Sequence, residues 1–206
     1  FKAHAFKAHA FKAHAFKAHV MLSVIIPTHN SEQALVPTLA ALVSGATAGL
    51  ISEVVVADGG SQDDTAVVAD IAGCEFLALE GPLGRRLKAA AAKARAPWLM
   101  FMRPGTVLYA PWTDDVTRFV EQRAPRNKAA VFRRGAGPQT ALREALSFLI
   151  AGLGPARPEQ GLIIAKPLYD ELGGHSESAA DPEAEFIRRI SRRRILTLAA
   201  TAFSPR

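Results

Sequence analysis

The sequence predicts an α/β fold with a mostly parallel central sheet and helices on both faces. Two observations predict it. Short apolar runs alternate with helical stretches from Leu22 to Met102, the strand–helix–strand spacing of parallel sheets joined by crossover helices. Three loops rich in polar and turn residues, Thr28–Ser31, Asp58–Asp64 and Arg103–Thr106, each directly follow an expected strand. In open sheets of this kind ligands gather outside the carboxyl ends of the strands, and the crossovers are right-handed.

In chain order, Leu22–Pro27 (LSVIIP) reads as a buried strand. Leu35–Ser44 reads as a helix with Pro37 in its first turn, where proline is tolerated, and Gly45 closes it. Glu53–Asp58 is a second strand. Ser61-x-x-Asp64 resembles a capping box opening a helix over Asp63–Ala72. Glu75–Leu79 is a third strand, Arg85–Ala96 an alanine-rich helix and Pro97–Met102 a fourth strand. The second half is less regular. Helices are expected over Pro111–Arg123, Gln139–Gly152, Pro167–Leu172 and Pro182–Arg193. Strands are expected over Ala129–Arg133, Gly161–Lys166 and Ile195–Ala199. No Pro/Gly/Ser linker divides residues 21–206, so they read as one domain.

Residues 1–20 stand apart. They repeat FKAHA four times with one change, and they hold four of the eight lysines and four of the six histidines. A period of five turns ~140° per repeat on a helix and puts successive phenylalanines on opposite faces of a strand, so neither form buries a stripe. The tract reads as non-native, with Met21 as the natural start. Without its four lysines the net charge falls from +6 to +2, which removes the case for a nucleic-acid partner. The single cysteine, Cys74, forms no intrachain disulfide and fits a cytoplasmic location. No apolar run reaches the ~20 residues of a membrane span, so no integral membrane segment is expected.

Two loops carry the chemistry. The first is Pro27-Thr28-His29-Asn30. The second is Asp58-Gly59-Gly60-Ser61-Gln62-Asp63-Asp64-Thr65. A carboxylate at a strand end can accept from a nucleobase N–H, and glycines let a ligand approach the backbone. Asp-Gly-Gly alone also makes an ordinary turn.

Together, SVIIPTHN and, about thirty residues on, VVVADGGSQDDT resemble the opening of the family-2 glycosyltransferases, whose fold is GT-A, that of the nucleotide-diphospho-sugar transferases. GPLGRRLKAAAAKARAPWLMFM looks like that family's arginine-bearing helix and the strand before its metal motif. LYDELGGHSESAADPEAEFIRRISR looks like its acceptor-side segment. The likeness runs from Leu22 to about Arg194 and is nearest a small, soluble bacterial subgroup.

The resemblance implies roles for matching residues. Thr28, Asn30, Asp58 and Gly59 line a nucleotide site, with Thr28 and Asp58 at the base, usually uracil, and Arg85 or Arg86 reaching base or phosphates. Asp63 and Thr65 match helix-start positions and equally read as caps. The family also implies Mg²⁺ or Mn²⁺, held by the last carboxylate of an Asp-x-Asp motif. Here that motif is degenerate: Gly105 replaces the carboxylate, leaving no metal ligand expected. Arg103 could carry the diphosphate charge instead, or stand on the surface of a decayed site. Glu183, with Asp181 nearby, replaces the family's acidic pair and is the candidate general base; the bland reading is a favourable charge in the first turn of a helix. His175 follows Gly173-Gly174 as a lining or plain loop residue, and Lys88 replaces a common asparagine. The arginines of 188–194 read as a solvated face, or as contact with anionic lipid or an acidic partner.

The expected function is transfer of a sugar from a nucleoside-diphosphate sugar, most simply a UDP-sugar, to an unknown hydroxyl acceptor, with inversion and without metal. The alternative is a catalytically degenerate domain of the same fold that binds nucleotide sugar or a protein partner. A nucleotidyltransferase would want a glycine-rich basic phosphate loop near the start, and Pro27–Ser31 offers none.

Overall fold

The computed structural model describes residues 21–109, 111–121, 127–135 and 155–204. The repeat tract, the helix expected over Gln139–Gly152 and the end of the one expected over Pro111–Arg123 lie outside them.

The first half follows the expected alternation: β1 (Leu22–Thr28), α1 (Glu32–Thr47), β2 (Ile51–Asp58), α2 (Thr65–Ile71), β3 (Glu75–Ala78), α3 (Leu83–Lys93) and β4 (Trp98–Phe101). The second half gives β5 (Val107–Leu108), α4 (Trp112–Glu121), β6 (Ala129–Arg134), β7 (Leu162–Ala165), α5 (Lys166–Glu171), α6 (Pro182–Arg189) and β8 (Ile195–Phe203). Every residue of β1 and β2 is buried, so both faces of the sheet are covered there, and the strands read as unbroken apolar runs for that reason. Among the described residues no helix is long and apolar enough to cross a membrane.

The eight strands form one sheet in the order β3-β2-β1-β4-β7-β6-β8-β5. The pairs β2–β3, β1–β2, β1–β4 and β6–β8 are parallel, while β7 is antiparallel to β4 and β6, and β5 to β8. All strands except β5 and β7 therefore point one way. The carboxyl ends of β2, β1 and β4 lie side by side, with the amino end of β7 beside them. Pro158–Gln160, a single 3₁₀ turn, enters that edge just before β7.

Local chemistry moves several boundaries. α1 is longer than expected, with Pro37 inside the helix rather than in its first turn. α3 stops at Lys93 because Ala96 precedes Pro97 and is pushed from helical geometry. The orphan N–H groups of Arg95 and Ala96 are taken up by the buried Glu53 carboxylate and the Ser23 hydroxyl, 2.7 and 3.0 Å away. Of the arginines of 188–194, Arg188, Arg189, Arg192 and Arg193 are exposed and Arg194 is half-buried, but two of the five also hold backbone carbonyls. α6 ends at Arg189, whose guanidinium holds the Leu172 and Gly174 carbonyls at 2.6 Å, and Arg194 donates to the Asn127 carbonyl.

Candidate functional site

The two motif loops meet at the carboxyl edge. β1 and β2 are in register through their last residues, which places Thr28 beside Asp58. The Thr28 hydroxyl donates to Asp58 Oδ1 at 2.7 Å. The Ser61 hydroxyl donates to the same oxygen at 2.5 Å, and Oδ2 accepts from the Gly60 and Ser61 N–H groups at 2.8 Å. Those four bonds fill the acceptor capacity of a carboxylate. Burial works to raise the Asp58 pKa, but the bonds from Ser61, Thr28 and Gly60 outweigh it and hold the carboxyl below its ordinary range. The expected capping box is thus absent: Ser61 serves Asp58, and its Oγ accepts from the Asn30 N–H at 2.8 Å. Asn30 adopts a left-handed backbone, φ 48°, and its side-chain oxygen accepts from the Gln62 N–H.

Asp63 ties the loops together. Its carboxylate accepts from the Glu32 N–H at the start of α1 and from the N–H and hydroxyl of Thr65 at the start of α2. The Thr65 hydroxyl also accepts from the Ser31 N–H. Asp63 and Thr65 therefore satisfy backbone N–H groups at the starts of α1 and α2, whose N-cap positions are Ser31 and Asp64.

Of the two candidate arginines, Arg86 reaches the site. Its Nη1 donates to the Thr28 and Ala57 carbonyls at 2.8 and 3.0 Å, and its Nε is buried without a partner. Burial lowers its pKa, against the raising influence of Asp58. A Cβ on Gly59 would meet this guanidinium at 2.8 Å, so a side chain there would have to displace Arg86. Arg85 is exposed and folds over Gly81.

Arg103 and Glu183, eighty residues apart, are brought together. Arg103 Nε and Nη2 both donate to Glu183 Oε2 at 2.7 Å, and Nη1 donates to Glu159 Oε1 at 3.0 Å. Asp181 stands 3.9 Å away and caps α6 by accepting from the Ala184 N–H. Glu183 is 6% exposed, and burial raises its pKa more than the Arg103 bond and charge lower it. For Arg103, burial lowers the pKa but Glu183, Glu159 and Asp181 together raise it. Glu159 was not foreseen; its only sequence signal is an acid before an apolar strand. Gly105 has φ 86°, and its N–H donates to the Ala34 carbonyl, which fastens this loop to α1.

Glu183 also lines a cavity of about 10 Å³ with Phe101, Pro158, Leu162, His175 and Ile187. That is room for one water. His175 is no plain loop residue. It is buried among Phe101, Tyr169 and Phe186, with Nδ1 3.0 Å from the Tyr169 hydroxyl. Burial, aided by Arg189, lowers its pKa to about 3, so the ring is neutral. Gly84 on α3 lies against the next residues: a Cβ there would sit 1.8 Å from the Ser176 carbonyl oxygen. α3 is thereby packed onto the loop bearing His175.

No curated protein matches the chain in sequence. The sequence model of glycosyl transferase family 2 matches residues 23–102, from β1 to the end of β4. Solved structures share the fold. Glucosyl-3-phosphoglycerate synthase from Mycobacterium tuberculosis, solved with Mn²⁺, UDP and glucosyl-3-phosphoglycerate, superposes with a TM-score of 0.62 at 18% identity over 88% of this chain and 70% of that one. S. aureus TarS 1–349 with UDP-GlcNAc gives 0.66 at 19% identity over 90% and 59%. The mannosyltransferase PcManGT from Pyrobaculum calidifontis, with GDP-Man and Mn²⁺, gives 0.66 at 15% identity over 89% and 56%. The chain thus spans little more than half the length of the last two. Residues 23–102 thus match glycosyl transferase family 2 in sequence, and the described chain shares the GT-A fold of these glycosyltransferase structures.

Proposed function

We propose that this chain transfers a sugar from a nucleoside-diphosphate sugar, a UDP-sugar, to a hydroxyl acceptor with inversion. The observation that supports it most is the union of the Thr28 and Asp58 loops at the edge of parallel strands, inside the segment matching the family. Thr28, Asn30, Asp58, Gly59 and Arg86 form the floor of the proposed nucleotide site, with Arg85 at its rim. Because Asp58 is saturated, a base N–H reaches it only when the Thr28 or Ser61 hydroxyl turns away.

The donor set around Gly105 does not suit the Mn²⁺ seen in two of the similar structures. Glycine offers no ligand, and Glu159 and Glu183 are held by the Arg103 guanidinium. Among the described residues no three His, Cys, Asp or Glu side chains group to hold a metal. The reading is therefore metal-independent. Three of the five Arg103 N–H donors are used on Glu159 and Glu183, which leaves two for phosphate oxygens. In the proposed step the acceptor hydroxyl attacks the anomeric carbon, the nucleoside diphosphate departs, and Glu183 takes the proton. A base buried and raised in pKa suits that task. Arg103 pins Oε2 and leaves Oε1 outside the fork; Asp181 adds negative charge beside it.

Calorimetric titration with UDP tests the reading. Binding is expected to survive chelator and to weaken roughly 10-fold or more in Arg103→Ala, the loss of about 1.5–3 kcal/mol from a charged hydrogen bond. Loss with chelator and survival in Arg103→Ala would overturn the metal-independent site. The second reading, a degenerate domain acting through a partner, is favoured by Gly105 and by the carboxylates surrounding Arg103; binding of UDP-sugar without turnover would establish it.

A further inference from the structure

After the repeat tract, charge is divided along the chain. Residues 21–84 hold eight acids and no lysine or arginine, so every later basic residue follows Arg85 or is Arg85 itself. In the sheet, β3, β2 and β1 come from the acidic segment and β4, β7, β6 and β8 from the later one, although Arg86, Lys93 and Arg95 reach back to β1, β3 and β2.

Six of the later basic residues flank strand ends at the edge opposite the proposed catalytic site. Trp98 at the start of β4 pairs with Ala165 at the end of β7, Ala129 at the start of β6 pairs with Ile164, and Ile195 at the start of β8 pairs with Ala129. These four strand ends therefore form one line of about 14 Å, from three inter-strand gaps. Each is flanked by cations. Arg95 precedes β4, Lys166 follows β7, Lys128 precedes β6, and Arg192–Arg194 precede β8. Arg95 is paired with Glu53, and Arg194 lies 3.8 Å from Glu171. Lys166 Nζ lies against the Ala92 and Ala94 carbonyls. Lys128, Arg192 and Arg193 have no ion-pair partner among the described residues, and both arginines are exposed.

We infer that this edge is a docking surface for an anionic lipid bilayer. The charges are spread over the ends of four adjacent strands, which suits a diffuse sheet of headgroups better than one phosphate. Leu196, 37% exposed beside the arginines, adds an apolar contact. A single-stranded nucleic acid would want aromatic platforms. None of the residues flanking these strand ends is an exposed aromatic; Tyr109, the large aromatic exposed among the described residues, follows β5. Docked this way, the opposite edge, with Thr28, Asp58 and Arg103, faces the aqueous phase.

Flotation of the full chain with vesicles tests the inference. Binding is expected to vesicles of phosphatidylcholine containing phosphatidylserine, not to phosphatidylcholine alone, and is lost near 1 M salt, where screening shortens to about 3 Å. Each cation at an anionic surface strengthens binding roughly fivefold, so Lys128→Gln/Arg192→Gln/Arg193→Gln should weaken it roughly a hundredfold, with circular dichroism and thermal midpoint unchanged. Arg134→Gln, at the other end of β6, should weaken it by no more than that single fivefold step. No binding by the unaltered chain overturns the inference. So does full binding by the triple variant, which would assign any affinity to the lysines of residues 1–20. Tighter binding to duplex DNA than to vesicles at equal salt would replace the lipid with nucleic acid.

Discussion

Acidification should destabilise this protein through His175. The folded ring has a pKa of about 3, lowered first by burial and then by Arg189, whereas an unfolded histidine titrates at ~6.5. The sign follows directly. The folded state sheds the proton and the unfolded state keeps it, so the stability from a neutral ring is whole above pH ~6.5 and is lost as pH falls toward 3. Within that window one proton is at stake, ~1.4 kcal/mol per pH unit, or about 2 kcal/mol between pH 7 and pH 5. Glu183 lines the same cavity and works in the opposite sense, since a raised carboxyl pKa favours the folded state as pH falls. It is present in both proteins of the comparison. The assay is urea unfolding of the unaltered chain and His175→Gln at pH 7, 6 and 5. Gln cannot take the proton, so the variant starts less stable but loses about 2 kcal/mol less over the range. Equal losses in the two proteins, or a ring resonance titrating near pH 6.5, would refute the reasoning.

Two further outcomes are expected. Gly84→Ala drives a Cβ to 1.8 Å from the Ser176 carbonyl, so overpacking of about 1–3 kcal/mol should exceed the ~1 kcal/mol helical gain of alanine, and thermal denaturation should show a lower midpoint. Asp58→Ala strands the Gly60 and Ser61 N–H groups, each at a cost of about 1–3 kcal/mol, and should lower chemical stability and abolish UDP binding measured by calorimetry.

The first half was legible because its chemistry is local. Strands buried on both faces read as apolar runs, and the loops that follow them hold Thr28 and Asp58 within a few residues of each strand end. β5 was missed because two residues carry no periodicity. The reversal of β7 was hidden because Leu162–Ala165 is equally apolar in either direction. Ser61 has capping chemistry, but the Asp58 carboxylate three residues earlier competes for its hydroxyl and wins. The fork from Arg103 to Glu183 spans 80 residues and the bond to Glu159 spans 56, so only the assembled sheet brings them together. His175 looked like a loop residue because its aromatic neighbours come from β4, α5 and α6.

The Asp63 carboxylate has a consequence for motion. It grips the first turns of two helices at once, through Glu32 and Thr65, while Ser61 and Asn30 bridge the same two loops a few residues earlier. The loops cannot open independently, because parting either one strands donors on both. Their amide hydrogens should exchange with solvent in a single concerted event. A nucleotide arriving at this edge would then meet a surface whose ordering entropy was spent when the chain folded, not when the ligand lands.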